Sequence, residues 1–177
     1  KVLNETVPPA LQQVQGTIEV WHQTGQVHHE TMRHAYAEAP FKVRVDAFIE
    51  DMATAYAWAD LVICRAGALT VSELAQAGVG SILVPYPYAV DDHQTRNAQF
   101  LAGQGAAIWL PQPQLTVGKL ANLMTELVNN PVQLQALSSA ARGCATPKAL
   151  QQVVDLCLKY TSQPAGLEAL AGKERAS

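Results

Sequence analysis

The chain has 177 residues, 49% hydrophobic and 15% charged, with a net charge of -3. This is the profile of a globular domain large enough to bury a core, and it excludes a strongly basic nucleic-acid binder. No run approaches the ~18 apolar residues of a membrane span. Cys64, Cys144 and Cys157 are odd in number and widely spaced, and the opening residues lack the layout of a signal peptide. They read as reduced, buried thiols of a cytosolic protein.

In chain order, residues 1–15 carry Val2, Leu3, Val7, Leu11 and Val14 at helical spacing, with an interruption expected at Pro8-Pro9. Residues 17–22 alternate as a strand, and Gly25 turns the chain into a helix over 27–39. His28, His29 and His34 show no i, i+4 pair with a carboxylate partner, so they read as structural or surface residues and no metal is assigned. Residues 43–48 form the next strand, with Ile49 opening its loop. A short helix over 51–58 follows, with Asp51 at its N-terminus and Trp58 expected to pack inward.

Residues 59–64 read as a buried strand, Gly67 and its small neighbours as a turn, and 69–77 as a helix closed by Gly78. A strand at 81–85 and a loop at 86–92 lead into a helix over 93–103. A fifth strand at 106–110 is stopped by Pro111 and Pro113. Helices are expected at 116–129 with Thr116 as N-cap, at 132–143, and at 147–160, with a polar tail beyond. This alternation predicts an α/β fold: a Rossmann-like parallel sheet with helices on both faces.

The chemistry concentrates in the unit at 59–78. A helix N-terminus there presents unpaired N–H groups, and Ala66, Gly67 and Ala68 are small enough for an anion to reach the backbone. Phosphate is the natural guest. Thr70 and Ser72 add hydroxyls, while Glu73 places a carboxylate that suits a vicinal diol such as a ribose. The same spacing equally suits a capping box, with Thr70 capping the helix and Glu73 supporting it. Gln94 and Asn97, three apart on one helical face, offer amides that match sugar hydroxyls. Arg65 is a secondary candidate, equally readable as an ion-pair partner.

Four blocks in order carry a family likeness: residues 46–52, residues 55–60, Arg65-Ala66-Gly67-Ala68-Leu69-Thr70-Val71-Ser72-Glu73, and Gln94-Thr95-Arg96-Asn97-Ala98. Together they resemble the C-terminal domain of the MurG family, over residues 1–160. The resemblance implies the C-terminal half of a GT-B glycosyltransferase. Such an enzyme inverts configuration as it moves GlcNAc from UDP-GlcNAc to lipid I, forming lipid II in peptidoglycan synthesis. It implies that Ile49 meets uracil through its backbone and that Ala68, Leu69 and Thr70 meet the diphosphate and sugar. Glu73 would take the ribose, and Gln94 and Asn97 the donor sugar, with Arg65 and Ser72 as secondary contributors. No cofactor or metal is implied.

A first strand, a Gly-rich loop and an acceptor domain carrying the catalytic base are expected before Lys1. Lipid I binding and peripheral attachment to the cytoplasmic face of the bacterial inner membrane are expected through that domain. His93 and Asp91-Asp92 depart from the family's loop as found in its enterobacterial member. Two alternatives stay open: a non-catalytic UDP-sugar-binding subunit of a split transferase, and another GT-B enzyme such as an epimerase. A retaining transferase would carry a second glutamate eight positions after Glu73, where this chain has Ser81.

Overall fold

The structure is a computed structural model describing residues 1–146 and 149–161. The chain divides into two compact units, Lys1–Ala145 and Thr146–Ser177. In the first, helices and strands alternate as α1 (Val2–Leu11), β1 (Glu19–Gln23), α2 (His29–Ala35), β2 (Lys42–Asp46), α3 (Met52–Trp58) and β3 (Leu61–Cys64). Then follow α4 (Ala68–Ala77), β4 (Gly80–Leu83), α5 (His93–Gly103), β5 (Ala107–Trp109), α6 (Val117–Val128) and α7 (Pro131–Gly143). The second unit contributes α8 (Ala149–Thr161), whose Val153, Leu156 and Leu158 are exposed. The first two positions of the helix expected at 147–160, and the expected tail beyond 161, lie outside the described residues.

Among the described residues every strand pairing is parallel, as the alternation requires, but the ladders form two sets: β1 with β2, and β3-β4-β5. Between them lies a cavity of about 910 Å³. Val20 and His22 of β1 and Leu61 and Ile63 of β3 line it from either side, and Leu3 and Val7 of α1 also line it. The unpaired edges of two parallel strands thus flank one apolar cleft. No described helix is long and apolar enough to cross a membrane.

β4 explains the two helical layers. It is buried throughout, and its side chains alternate between two cores. Ile82, with Val84 just beyond the strand, packs with Val7 and Leu11 of α1, Leu120 and Leu127 of α6, and Leu137 of α7. Leu83 packs on the other side with Val71 and Leu74 of α4 and Ala98 and Leu101 of α5. Each fully buried Leu or Ile contributes about 1.5 to 3 kcal/mol. Gly80 is needed for space, because a Cβ there would stand 2.7 Å from Leu137 Cβ. Gly78 closes α4 at φ 67, a left-handed geometry that glycine adopts without strain.

Several sequence expectations change. α1 runs through Pro8 and Pro9, which leave the carbonyls of Asn4 and Glu5 without their helical donors but stand only three and two residues before the helix ends at Leu11, so no separate break is seen. The helix expected at 27–39 is a single 3-10 turn followed by the shorter α2, and Val27 is exposed. Trp58 does not pack inward: it is 46% exposed and meets Trp21 edge-on at 5.8 Å. Arg44 covers the Trp21 ring at 4.0 Å, so aromatic surface is covered by a cation instead of by the core. Cys157 is exposed on α8, whereas burial pushes the Cys64 thiol up to about 12 and keeps it protonated. Thr116 caps α6 as expected, accepting from Lys119 N–H at 3.2 Å.

His22 of β1 sits between the Tyr36 hydroxyl at 3.0 Å and Asn4 Oδ1 at 3.3 Å, and burial lowers its pKa to about 4. A depressed histidine pKa means that the unfolded chain binds the proton more readily. This contribution is therefore complete above about 6.5 and is lost as pH falls toward 4. Between pH 7 and pH 4.5 it should remove on the order of 2 kcal/mol of stability. Urea midpoints at the two pH values check this, and the His22→Gln variant should lose that part of the difference.

Candidate functional site

The carboxyl ends of the strands gather the sequence's candidates. β3 ends at Cys64, and Arg65-Ala66-Gly67 turn the chain into α4, whose N-cap is Gly67 with no side-chain cap. Val71 N–H is the first in the helix to find an intrahelical carbonyl, that of Gly67 at 2.9 Å. The amides of Ala68, Leu69 and Thr70 are therefore left for an outside acceptor. Leu69 is 80% exposed, so this end opens to solvent. The capping-box alternative does not hold: Thr70 lies inside the helix, and Glu73 Oε2 accepts from the Tyr56 hydroxyl at 2.9 Å.

Gly67 has φ -63, and a Cβ there would meet only Thr70 Oγ1 at an ordinary 3.6 Å. Space and backbone geometry therefore do not demand glycine, whereas close approach of an anion would. Gly67→Ala should cost the fold about 1 kcal/mol or less, the ordinary loss at an N-cap. It should weaken nucleoside diphosphate binding roughly fivefold, a loss of about 1 kcal/mol. Thermal melts and calorimetry on the same variant separate the two effects.

The flanking polar residues brace this turn. Gln94 Oε1 accepts from Ala66 N–H at 3.2 Å and from Tyr86 N–H at 2.9 Å, and Asn97 Nδ2 donates to Ala66 O at 3.0 Å. Both amides therefore grip the backbone of the turn, leaving Gln94 its NH₂ and Asn97 its Oδ1 for a ligand. Arg65 is held more firmly. Its Nη1 donates to Val84 O at 3.1 Å and Pro85 O at 3.0 Å, its Nη2 donates to Gln112 Oε1 at 2.7 Å, and its guanidinium lies 5.6 Å from the Tyr86 ring centroid. It ties β3 to the loop after β4, and three of its donor bonds are already made. Ser72 donates to Ala68 O at 3.0 Å, which uses its hydroxyl proton.

Ile49 is buried at the end of the segment after β2, and its N–H donates to Gln23 Oε1 at 2.8 Å. Gln23 ends β1, and the sequence reading missed it. Its amide oxygen stands where the carbonyl of a base edge would have to bind Ile49 N–H. Tyr56 was missed as well. A strand-end position at the ligand side could have flagged Gln23, whereas the partner of Tyr56 lies on another helix, beyond any sequence spacing.

Residues 1–158 match the glycosyltransferase family 28 C-terminal domain. The chain is 54% identical over 159 residues to the UDP-N-acetylglucosamine--N-acetylmuramyl-(pentapeptide) pyrophosphoryl-undecaprenol N-acetylglucosamine transferase of Stutzerimonas stutzeri, covering 89% of this chain and 45% of that protein. It is 52% identical to the protein of the same name from Azotobacter vinelandii, with the same coverage. Among solved structures it matches Acinetobacter baumannii MurG with a TM-score of 0.85 at 50% identity, over 89% of this chain and 48% of the other. The glycosyltransferase VinC in complex with dTDP, at 16% identity and a TM-score of 0.65, shares the fold over 89% of this chain and 40% of the other. The chain spans about half the length of the relatives it matches.

Proposed function

The chain belongs to the glycosyltransferase family 28 C-terminal domains, and we propose that it is the donor-binding half of an inverting UDP-GlcNAc-dependent transferase that converts lipid I to lipid II in peptidoglycan synthesis. The observation that carries this reading is the uncapped N-terminus of α4, set at the carboxyl ends of parallel strands. Ligands in open α/β sheets collect at such ends. The diphosphate would rest on the amides of Ala68, Leu69 and Thr70, the uracil would bind beside Ile49 in place of the Gln23 amide, and Glu73 would take the ribose hydroxyls. Asn97 Oδ1, the Gln94 NH₂ and Ala68 N–H would face the GlcNAc. Arg65 and Ser72 would shape the turn from behind.

Displacement at the anomeric carbon needs a base on the acceptor hydroxyl and a home for the charge on the departing UDP. The helix N-terminus offers the second. The base, the lipid I site and attachment to the cytoplasmic face of the inner membrane would belong to the other half of the enzyme. Residues 1–160 would form the nucleotide-sugar domain, its first strand entering the cleft between β1 and β3. That insertion would join the two ladders into one parallel sheet in the order β2-β1-new strand-β3-β4-β5, which is supported by the two open parallel edges and the apolar lining. Calorimetric titration with UDP-GlcNAc and with ADP-glucose tests the donor reading. Binding of the first alone is expected; equal heats, or none, would overturn it.

A further inference from the structure

Tyr56 sits on α3, and its ring packs in the core with Ala66, Val71 and Leu74. The hydroxyl is therefore presented from a fixed point, and it donates to Glu73 Oε2 at 2.9 Å. Burial, reinforced by the hydrogen bond and charge of Glu73, raises the phenol's pKa, so the proton stays on Tyr56 and the group remains a donor. Glu73 itself is exposed on α4. A long exposed side chain samples many rotamers, and a ligand that needs one of them must order it on binding.

We infer that Tyr56 is a positioning residue that holds the Glu73 carboxylate in place for a vicinal diol. One lone pair of Oε2 is taken by Tyr56, leaving Oε1 and the second lone pair of Oε2 for the ligand. The inference rests on the reading of Glu73 as the ribose acceptor. Asp51 caps the helix that carries Tyr56, its carboxylate accepting Thr54 N–H at 3.0 Å and the Thr54 hydroxyl at 2.6 Å.

Tyr56→Phe keeps the ring and its packing and removes only the donor. In the 177-residue chain, the preference for UDP over 2′,3′-dideoxy-UDP should fall roughly threefold to tenfold. The affinity for the dideoxy nucleotide should stay at the parent value. An unchanged preference, or equal weakening of both nucleotides, would overturn the inference. Glu73→Ala in the same titrations separates the two levels. If it abolishes the preference while Tyr56→Phe does not, positioning fails and the ribose reading stands; if it too keeps the parent preference, both fail.

Discussion

Replacing Glu73 with alanine should weaken UDP binding roughly tenfold to a hundredfold, the loss of about 1.5 to 3 kcal/mol that goes with a charge-assisted hydrogen bond to a diol. Binding of 2′,3′-dideoxy-UDP should change little, because that nucleotide never offered the hydroxyls. The structure adds a second consequence: without the carboxylate, the Tyr56 hydroxyl loses its acceptor. The fold should then lose about 1 kcal/mol, visible in a denaturant titration. Glu73→Gln keeps an amide oxygen for Tyr56 and one acceptor for the ribose, so it should lose less on both counts. If the UDP to dideoxy-UDP ratio is the same for Glu73→Ala as for the parent, Glu73 only ties α4 to Tyr56 of α3 and does not take a ribose.

Asn97 should set the choice of sugar. If its Oδ1 reads the equatorial 4-hydroxyl of GlcNAc, the axial epimer in UDP-GalNAc leaves a polar group poorly paired, a penalty of about 1 to 3 kcal/mol. Asn97→Ala should therefore weaken UDP-GlcNAc and bring the two epimers close together. From the sequence alone, UDP binding is expected to stay nearly unchanged. The bond from Asn97 Nδ2 to Ala66 O changes that expectation, since the variant also frees one carbonyl of the turn that holds the diphosphate. UDP should weaken about threefold, a neutral hydrogen bond's worth. The readout is the ratio between epimers, measured by competition titration, and equal weakening of UDP and both sugar nucleotides would make Asn97 a brace and nothing more.

What was legible in the sequence were the patterns that repeat along the chain. The apolar runs at 59–64 and 81–85 gave the parallel strands β3 and β4; β4 is buried throughout, as a run with no polar face requires, whereas β3 is only half-buried because it borders the cleft. Gly78 and Thr116 marked a helix end and a helix start through conformation and capping. The turn around Gly67 was legible to within a residue, since Ala68 already belongs to α4; the capping spacing from Thr70 to Glu73 fits the sequence equally well, and only Gly67 standing as the N-cap excludes it. What stayed hidden depends on pairs far apart in sequence: Tyr56 with Glu73, Gln23 with Ile49, and Arg65 with the carbonyls of Val84 and Pro85. Spacing shows which face a residue occupies and says nothing of whether its polar atoms are already taken. Trp58 was misjudged for a related reason, because a large aromatic can be covered by Trp21 and still face solvent in part.

The central claim is that the N-terminus of α4 takes a nucleoside diphosphate. Amide chemical-shift mapping of the ¹⁵N-labelled chain during titration with UDP-GlcNAc tests it most directly. The largest shifts should fall on the amides of Ala68, Leu69 and Thr70, with a second group at Ile49 and the Gln23 side chain as that hydrogen bond is exchanged for the base. Shifts that leave Ala68, Leu69 and Thr70 unmoved while clustering elsewhere on the chain would contradict the account.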